Sequence, residues 1–431
     1  MHALLSIAGV FALILVLTRL KVPLAAAIIA GAAATGVLFG QSLPTIISTL
    51  AEGVVQPRTL GLVVITLLQL LLSHTLQSGG ELQRIVELAR GVLRRPAVAM
   101  AALPAVIGLL PMPGGALFSA PMVATAAGDT HVPPSTLSAI NYWFRHIWEH
   151  WWPVYPGVVL AMTLTGRPFS VFAATQVPLG LIMTVCGLLI FRGTHPDLHA
   201  SQPRPPRGTH RALVRHTAPV WLIVALAIPA GMLLRWCGFS RMPGGSAELA
   251  LNFGPVAFGL VVALAYAMRQ CRQSLWEVAG YTLRRDVWPL LLLVISVMMF
   301  QHVLTRVQAA AAIAAELQQV HVPVVLVIVL LPFVAGAVTG LAVGFVGTSF
   351  PIVLPLITVV AGEGGALAPW IALAYAFGHL GQMLSPLHLC YVVSNKYFDT
   401  SFGSVYRHIL LPAAGVALLT LAYIVLLVRI L

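Results

Sequence analysis

Residues 114–123 read GGALFSAPMV, and about 230 positions later residues 344–353 read GFVGTSFPIV. Four positions coincide in register: Gly114 with Gly344, Ser119 with Ser349, Pro121 with Pro351 and Val123 with Val353. Working outward, YWFRHIWEHWWP (142–153) meets YAFGHLGQMLSP (375–386) through Tyr142/Tyr375, Phe144/Phe377, His146/His379 and Pro153/Pro386. On the other side His74/His302, Pro96/Pro323, Pro104/Pro332 and Gly108/Gly336 align with only a few residues of drift, the amount that loop insertions introduce. The chain is written twice.

What each copy contains follows from composition. Of 431 residues 59% are hydrophobic and 8% charged, too apolar for a soluble surface to cover, so the fold class expected is an all-α polytopic membrane protein. Windows of about 20 apolar residues predict ten spans, near 3–18, 22–40, 59–77, 137–164, 169–191, 217–235, 250–268, 287–306, 368–393 and 408–430. The segments 96–127 and 322–360 are apolar but broken at their centres by Pro and Gly. Each reads as a re-entrant hairpin, since irregular backbone at membrane depth is tolerated only inside protein or around a wet cavity. The first span carries no basic residue before it, and reads as an uncleaved span rather than a secretion signal.

Five spans and one hairpin per copy is an odd number of crossings, so the second copy must lie upside down relative to the first. Inverted-topology repeats (5+5) are the mark of secondary transporters. The expected domains are a first repeat over 1–191, a basic and Pro-rich cytoplasmic linker over 192–216, and a second repeat over 217–431. With both hairpins re-entrant, seventeen of the 24 basic residues fall on one side and six on the other, with Arg145 inside a span. The rich side is expected to be cytoplasmic, leaving both termini outside a multi-pass cytoplasmic membrane protein. The net charge of +12 is accounted for by this topology, and no nucleic-acid partner is expected. Cys186, Cys237, Cys271 and Cys390 form no CxxC and read as core residues, with no metal or cofactor implied.

Transporter sites of this kind lie where hairpin tips and interrupted helices converge near the midplane. The expected tips hold Pro111, Pro113, Gly114, Gly115 and Ser119 in one copy, and Gly344, Gly347, Thr348 and Ser349 in the other. Glycines there permit close approach, and freed N–H groups with hydroxyls favour an anion. WWPVYPG (151–157) and LSPLH (384–388) interrupt the following helices. The carbonyls that proline frees there either hold a coupling cation or are met by neighbouring helices.

HIWEH (146–150) has the spacing of an inverted zinc-peptidase helix, and an intramembrane metal-dependent hydrolase using His146, Glu149 and His150 is one alternative. The third ligand such a site needs has no candidate, because the next acids are Asp197 and Glu248. An anion channel is a further alternative. Glu149 is the only acid deep in a predicted span, and intramembrane charge is functional by default. Asn141, Arg145 and Glu149, four apart, are expected on one helical face. Either Arg145 and Glu149 neutralise each other, or Arg145 pairs with an anionic substrate while Glu149 and a histidine carry the coupling ion. In the second copy Gly378 stands opposite Arg145 and Gln382 opposite Glu149, so the charged chemistry is one-sided. The expected substrate-binding set is Pro113, Gly114, Gly115, Ser119, Asn141, Arg145, His146, Thr348, Ser349, His379 and Ser385. The expected coupling set is Glu149, His150, Gln382 and His388.

LLPMPGGALFSAP, NYWFRHIWEHWWPVYPG and HLGQMLSPLHLC resemble the motifs of the domain of unknown function 401 family, over essentially the whole chain. That family is placed in the ion transporter superfamily, with gluconate, citrate, dicarboxylate and lactate carriers as relatives. The resemblance implies homodimers, proton or sodium coupling and an elevator-type motion of the hairpin-bearing domain. It names no substrate, and the hairpin signature of the dicarboxylate branch is absent from FSAP and GTSFP. The expectation is therefore a non-enzyme, a secondary transporter of a small organic anion.

Overall fold

The computed structural model describes the chain except for residues 1, 94, 110–114, 129–130, 193–207, 240–244, 286, 310–311, 314, 317–322, 363–364 and 431. The described residues form helices and no strand. In order they are α1 (His2–Arg19), α2 (Leu24–Leu38), α3 (Leu43–Val55), α4 (Pro57–Ser78), α5 (Glu81–Val92), α6 (Pro96–Gly108), α7 (Ala116–Ala127), α8 (Pro134–Arg145), α9 (Pro156–Thr165) and α10 (Phe169–Gly187). The second half gives α11 (Thr209–Trp236), α12 (Gly245–Cys271), α13 (Leu275–Gly280), α14 (Trp288–Arg306), α15 (Val324–Thr339), α16 (Ala342–Ala361), α17 (Ala368–Met383), α18 (Leu389–Tyr397) and α19 (Phe402–Ile430).

Seven stretches among the described residues are long and apolar enough to cross a membrane: Pro57–Ser78, Phe169–Phe191, Thr209–Trp236, Phe253–Cys271, Trp288–Arg306, Ala342–Ala361 and Phe402–Ile430. This is a multi-pass membrane protein. Of the other expected spans, 3–18 and 22–40 are shorter apolar helices, and 137–164 and 368–393 are each cut in two. The return arm of the second hairpin is a 20-residue helix, about 30 Å long, against 12 residues in the first. Three of the helices have no counterpart in the reading of spans: α3, capped by the Ser42 hydroxyl accepting from the Thr45 amide, the amphipathic α5 and the short α13. The linker expected over 192–216 is helical from Thr209, and residues 193–207 lie outside the described residues.

Packing pairs the halves reciprocally. Helix α2 lies on α14 while α12 lies on α4, and α7 lies on α18 while α16 lies on α9. Likewise α8 meets α19 and α17 meets α10. Each pair is the other with the halves exchanged. Glycines set the closest approaches: a Cβ on Gly108 would strike the backbone oxygen of Arg145, and one on Gly336 would strike that of Gly378. Gly108/Gly336 and Arg145/Gly378 are repeat-equivalent, so hairpin and broken helix dock in the same way twice.

Candidate functional site

The two helix breaks face each other. Proline at 153 and at 386 has no N–H to give the carbonyl four residues back, which frees the C=O of Glu149 and of Gln382. Each freed carbonyl is met by a tyrosine from the opposite half. The Tyr375 hydroxyl donates to the Glu149 carbonyl at 2.8 Å. The Tyr142 hydroxyl lies 3.5 Å from the Gln382 carbonyl and 3.0 Å from that of Met383. Gln69 of α4 donates to the Pro153 carbonyl at 2.8 Å. The carbonyls exposed by proline are thus satisfied by neighbouring helices.

Inside this frame sits one buried carboxylate. Gln382 Nε2 donates to Glu149 Oε2 at 2.7 Å, His379 Nε2 lies 3.7 Å from the same oxygen, and His146 Nε2 lies 3.8 Å from Oε1. The His146 and His388 rings meet edge to face at 4.6 Å, and the His150 and His379 rings lie 4.4 Å apart. His150 and Gln176, both fully buried, are each other's polar neighbours. Arg145, 3% exposed, ends α8, and a Cβ at Gly115 would collide with its guanidinium. The repeat-equivalent place is filled the other way round, with the ring of Phe345 lying over Gly378. One half supplies room and a cation, the other a phenyl ring and no room.

Several expectations change. The stretch 146–150 is a run of turns rather than helix. Its amides bond three residues back, His146 to Trp143 and Glu149 to His146, and His146 Nδ1 takes the Tyr142 carbonyl at 2.6 Å, which removes the helical acceptor. The break therefore begins at His146, not Trp151, and Asn141, Arg145 and Glu149 do not share a helical face. Asn141 is turned to the Ala116 carbonyl (3.1 Å) and Ser394 hydroxyl (2.8 Å). The second hairpin turns at Gly340, whose φ is +63°, so Gly344, Gly347, Thr348 and Ser349 lie within α16. Thr348 and Ser349 donate to the carbonyls of Gly344 and Phe345. Ser119 likewise lies within α7, its hydroxyl 3.5 Å from the Gly115 and Ala116 carbonyls. Pro111, Pro113 and Gly114 lie outside the described residues.

Brought together are Arg145, His146, Glu149, His379, Gln382 and His388, with the His150 ring tilted against that of His379. Ser385 caps the second break by accepting from the Leu387 amide at 3.2 Å and lies beside the tip at Gly340. His150 does not join His146 and Glu149 as the zinc-helix spacing requires. A residue read as core does: one ligand atom each of His146, His388 and Cys390 lies within 4.8 Å of the others. Its signal was its place, two residues after His388 at the end of a helix break. Two cavities, of about 360 and 300 Å³, lie between α14 and α16 and share Thr305, Pro351 and Pro355. No residue of the charged cluster lines either of them.

No curated protein matches the chain by sequence. Among solved structures the chain is similar to Neisseria gonorrhoeae MtrF, whose structure and function are described as illuminating a class of antimetabolite efflux pumps, at 12% identity and a TM-score of 0.49, over 89% of this chain and 83% of that one. The family described as "Protein of unknown function (DUF401)" matches residues 1–207 and 249–429, and the chain belongs to that family.

Proposed function

We propose that this protein is a secondary active transporter of a small organic anion, a carboxylate, across the cell membrane, coupled to protons or sodium. The supporting observation is the meeting of two symmetric helix breaks around one buried guanidinium and one buried carboxylate. A buried ion costs several kcal/mol to desolvate, and no stability argument requires it at the point where two halves of a bundle exchange roles. In this reading the two halves are inverted repeats spanning 1–191 and 217–431. Arg145, given room by Gly115, holds the substrate carboxylate, and Glu149 is the negative charge that a coupling cation offsets.

The reciprocal packing supports alternating access in this reading: exchanging the contacts of one half for those of the other opens the buried cluster to the opposite side. The homodimer and elevator-type motion implied by the family resemblance belong to this reading, as do outside termini. The test is a thermal-shift screen of carboxylates on purified protein, followed by uptake of each stabilising compound into proteoliposomes under imposed proton or sodium gradients. Saturable, gradient-driven uptake is expected. Large unitary currents in a bilayer with no saturable uptake would replace a carrier by a channel.

A further inference from the structure

We infer that His146, His388 and Cys390 form a site for a thiolate- and imidazole-seeking divalent cation of the Zn²⁺ class, adjoining the carboxylate site of Arg145. Three arguments converge. The three ligand atoms already lie within 4.8 Å of one another and all three residues are buried, so a modest contraction gives the separations of a tetrahedral site, with metal to nitrogen near 2.0 Å and metal to sulfur near 2.3 Å.

The imidazoles are also oriented as metal ligands are. His146 Nδ1 lies 2.6 Å from the Tyr142 carbonyl and His388 Nδ1 lies 3.3 Å from the Gln382 carbonyl. A carbonyl can only accept, so each Nδ1 carries the proton and each Nε2 presents a lone pair. Such backbone partners fix tautomer and ring orientation at metal sites. His388 gets its partner because Pro386 frees the Gln382 carbonyl, so the helix break itself builds the ligand.

Charge is consistent with a cation. On metal binding the thiol loses its proton and ligates as thiolate, and Glu149, with Oε1 3.8 Å from His146 Nε2, adds a second negative charge. Arg145, beside Cys390, offsets only one of the two. Glu149 Oε1 or a water completes the fourth position.

The test titrates Co²⁺ into chelator-treated, purified full-length protein. One equivalent should give the near-ultraviolet band of a thiolate–cobalt bond, and Zn²⁺ should displace it. Cys390→Ser should abolish the band, and His388→Gln should weaken Zn²⁺ affinity about tenfold or more. Cys237→Ser, altering an exposed thiol, should change nothing. Absence of the band in the unaltered protein, or its persistence in Cys390→Ser, overturns the assignment. If Cys390→Ser does not fold, unchanged affinity in His388→Gln overturns it equally. Each readout is binding, so failure here leaves carboxylate uptake, measured without metal, standing or falling separately.

Discussion

The side-chain amide of Gln382 donates to Glu149 Oε2 at 2.7 Å across 233 positions of sequence, the same displacement that superposes the two halves of the chain. Two residues in one repeat position, one in each copy, bond to each other. That is what a two-fold axis passing between them would produce.

Exchanging their charges tests that relation. Gln382→Glu sets two carboxylates at hydrogen-bond distance and should lower stability by about 3 kcal/mol, the scale of a disrupted buried ionic pair. Adding Glu149→Gln in the same chain should restore most of that loss, because the bond is re-formed in mirror image. Thermal unfolding in detergent of the two single variants and the double variant gives the coupling. A double variant no more stable than Gln382→Glu would show that the two sites are not equivalent.

The tyrosines across the breaks should behave as a matched set. Tyr375→Phe takes the tyrosine donor from the proline-freed Glu149 carbonyl and Tyr142→Phe takes it from the Met383 carbonyl at the second break, each at a cost of about 1–3 kcal/mol. The expected losses of melting temperature agree within a factor of two. A loss confined to one of them would mean that one break is satisfied by other means.

Glycines separate packing from substrate handling. Gly108→Ala and Gly336→Ala drive a methyl into backbone of the broken helices and should prevent stable folding. Gly115→Ala meets first the guanidinium end of the Arg145 side chain rather than backbone. Folded protein with KM for the carboxylate raised about tenfold or more is expected, measured by uptake. A normal KM in folded Gly115→Ala would remove Arg145 from the substrate.

The broad layout was legible in the sequence because apolar length and paired prolines are strong signals. Helix breaks at 384–388 and near 153 and the unequal pair Arg145/Gly378 read directly from the repeat. What was hidden depended on tertiary contact. HIWEH has helical periodicity, yet the His146 ring takes the Tyr142 carbonyl and unwinds the turn before any proline is reached. Gly344 to Ser349 looked like a tip because glycines cluster there, whereas the turn needs a left-handed residue and Gly340 supplies it. Cys390 read as core until the fold set it beside two imidazoles. Helix α3 was passed over because 13 residues fall short of a membrane span.

The most direct test of the central claim is uptake of a carboxylate into proteoliposomes by the unaltered protein and by Arg145→Gln, under the gradient that drives it. The account predicts saturable accumulation by the first and none by the second, with the variant folded and melting within a few degrees of the parent. Equal accumulation by both proteins would contradict it.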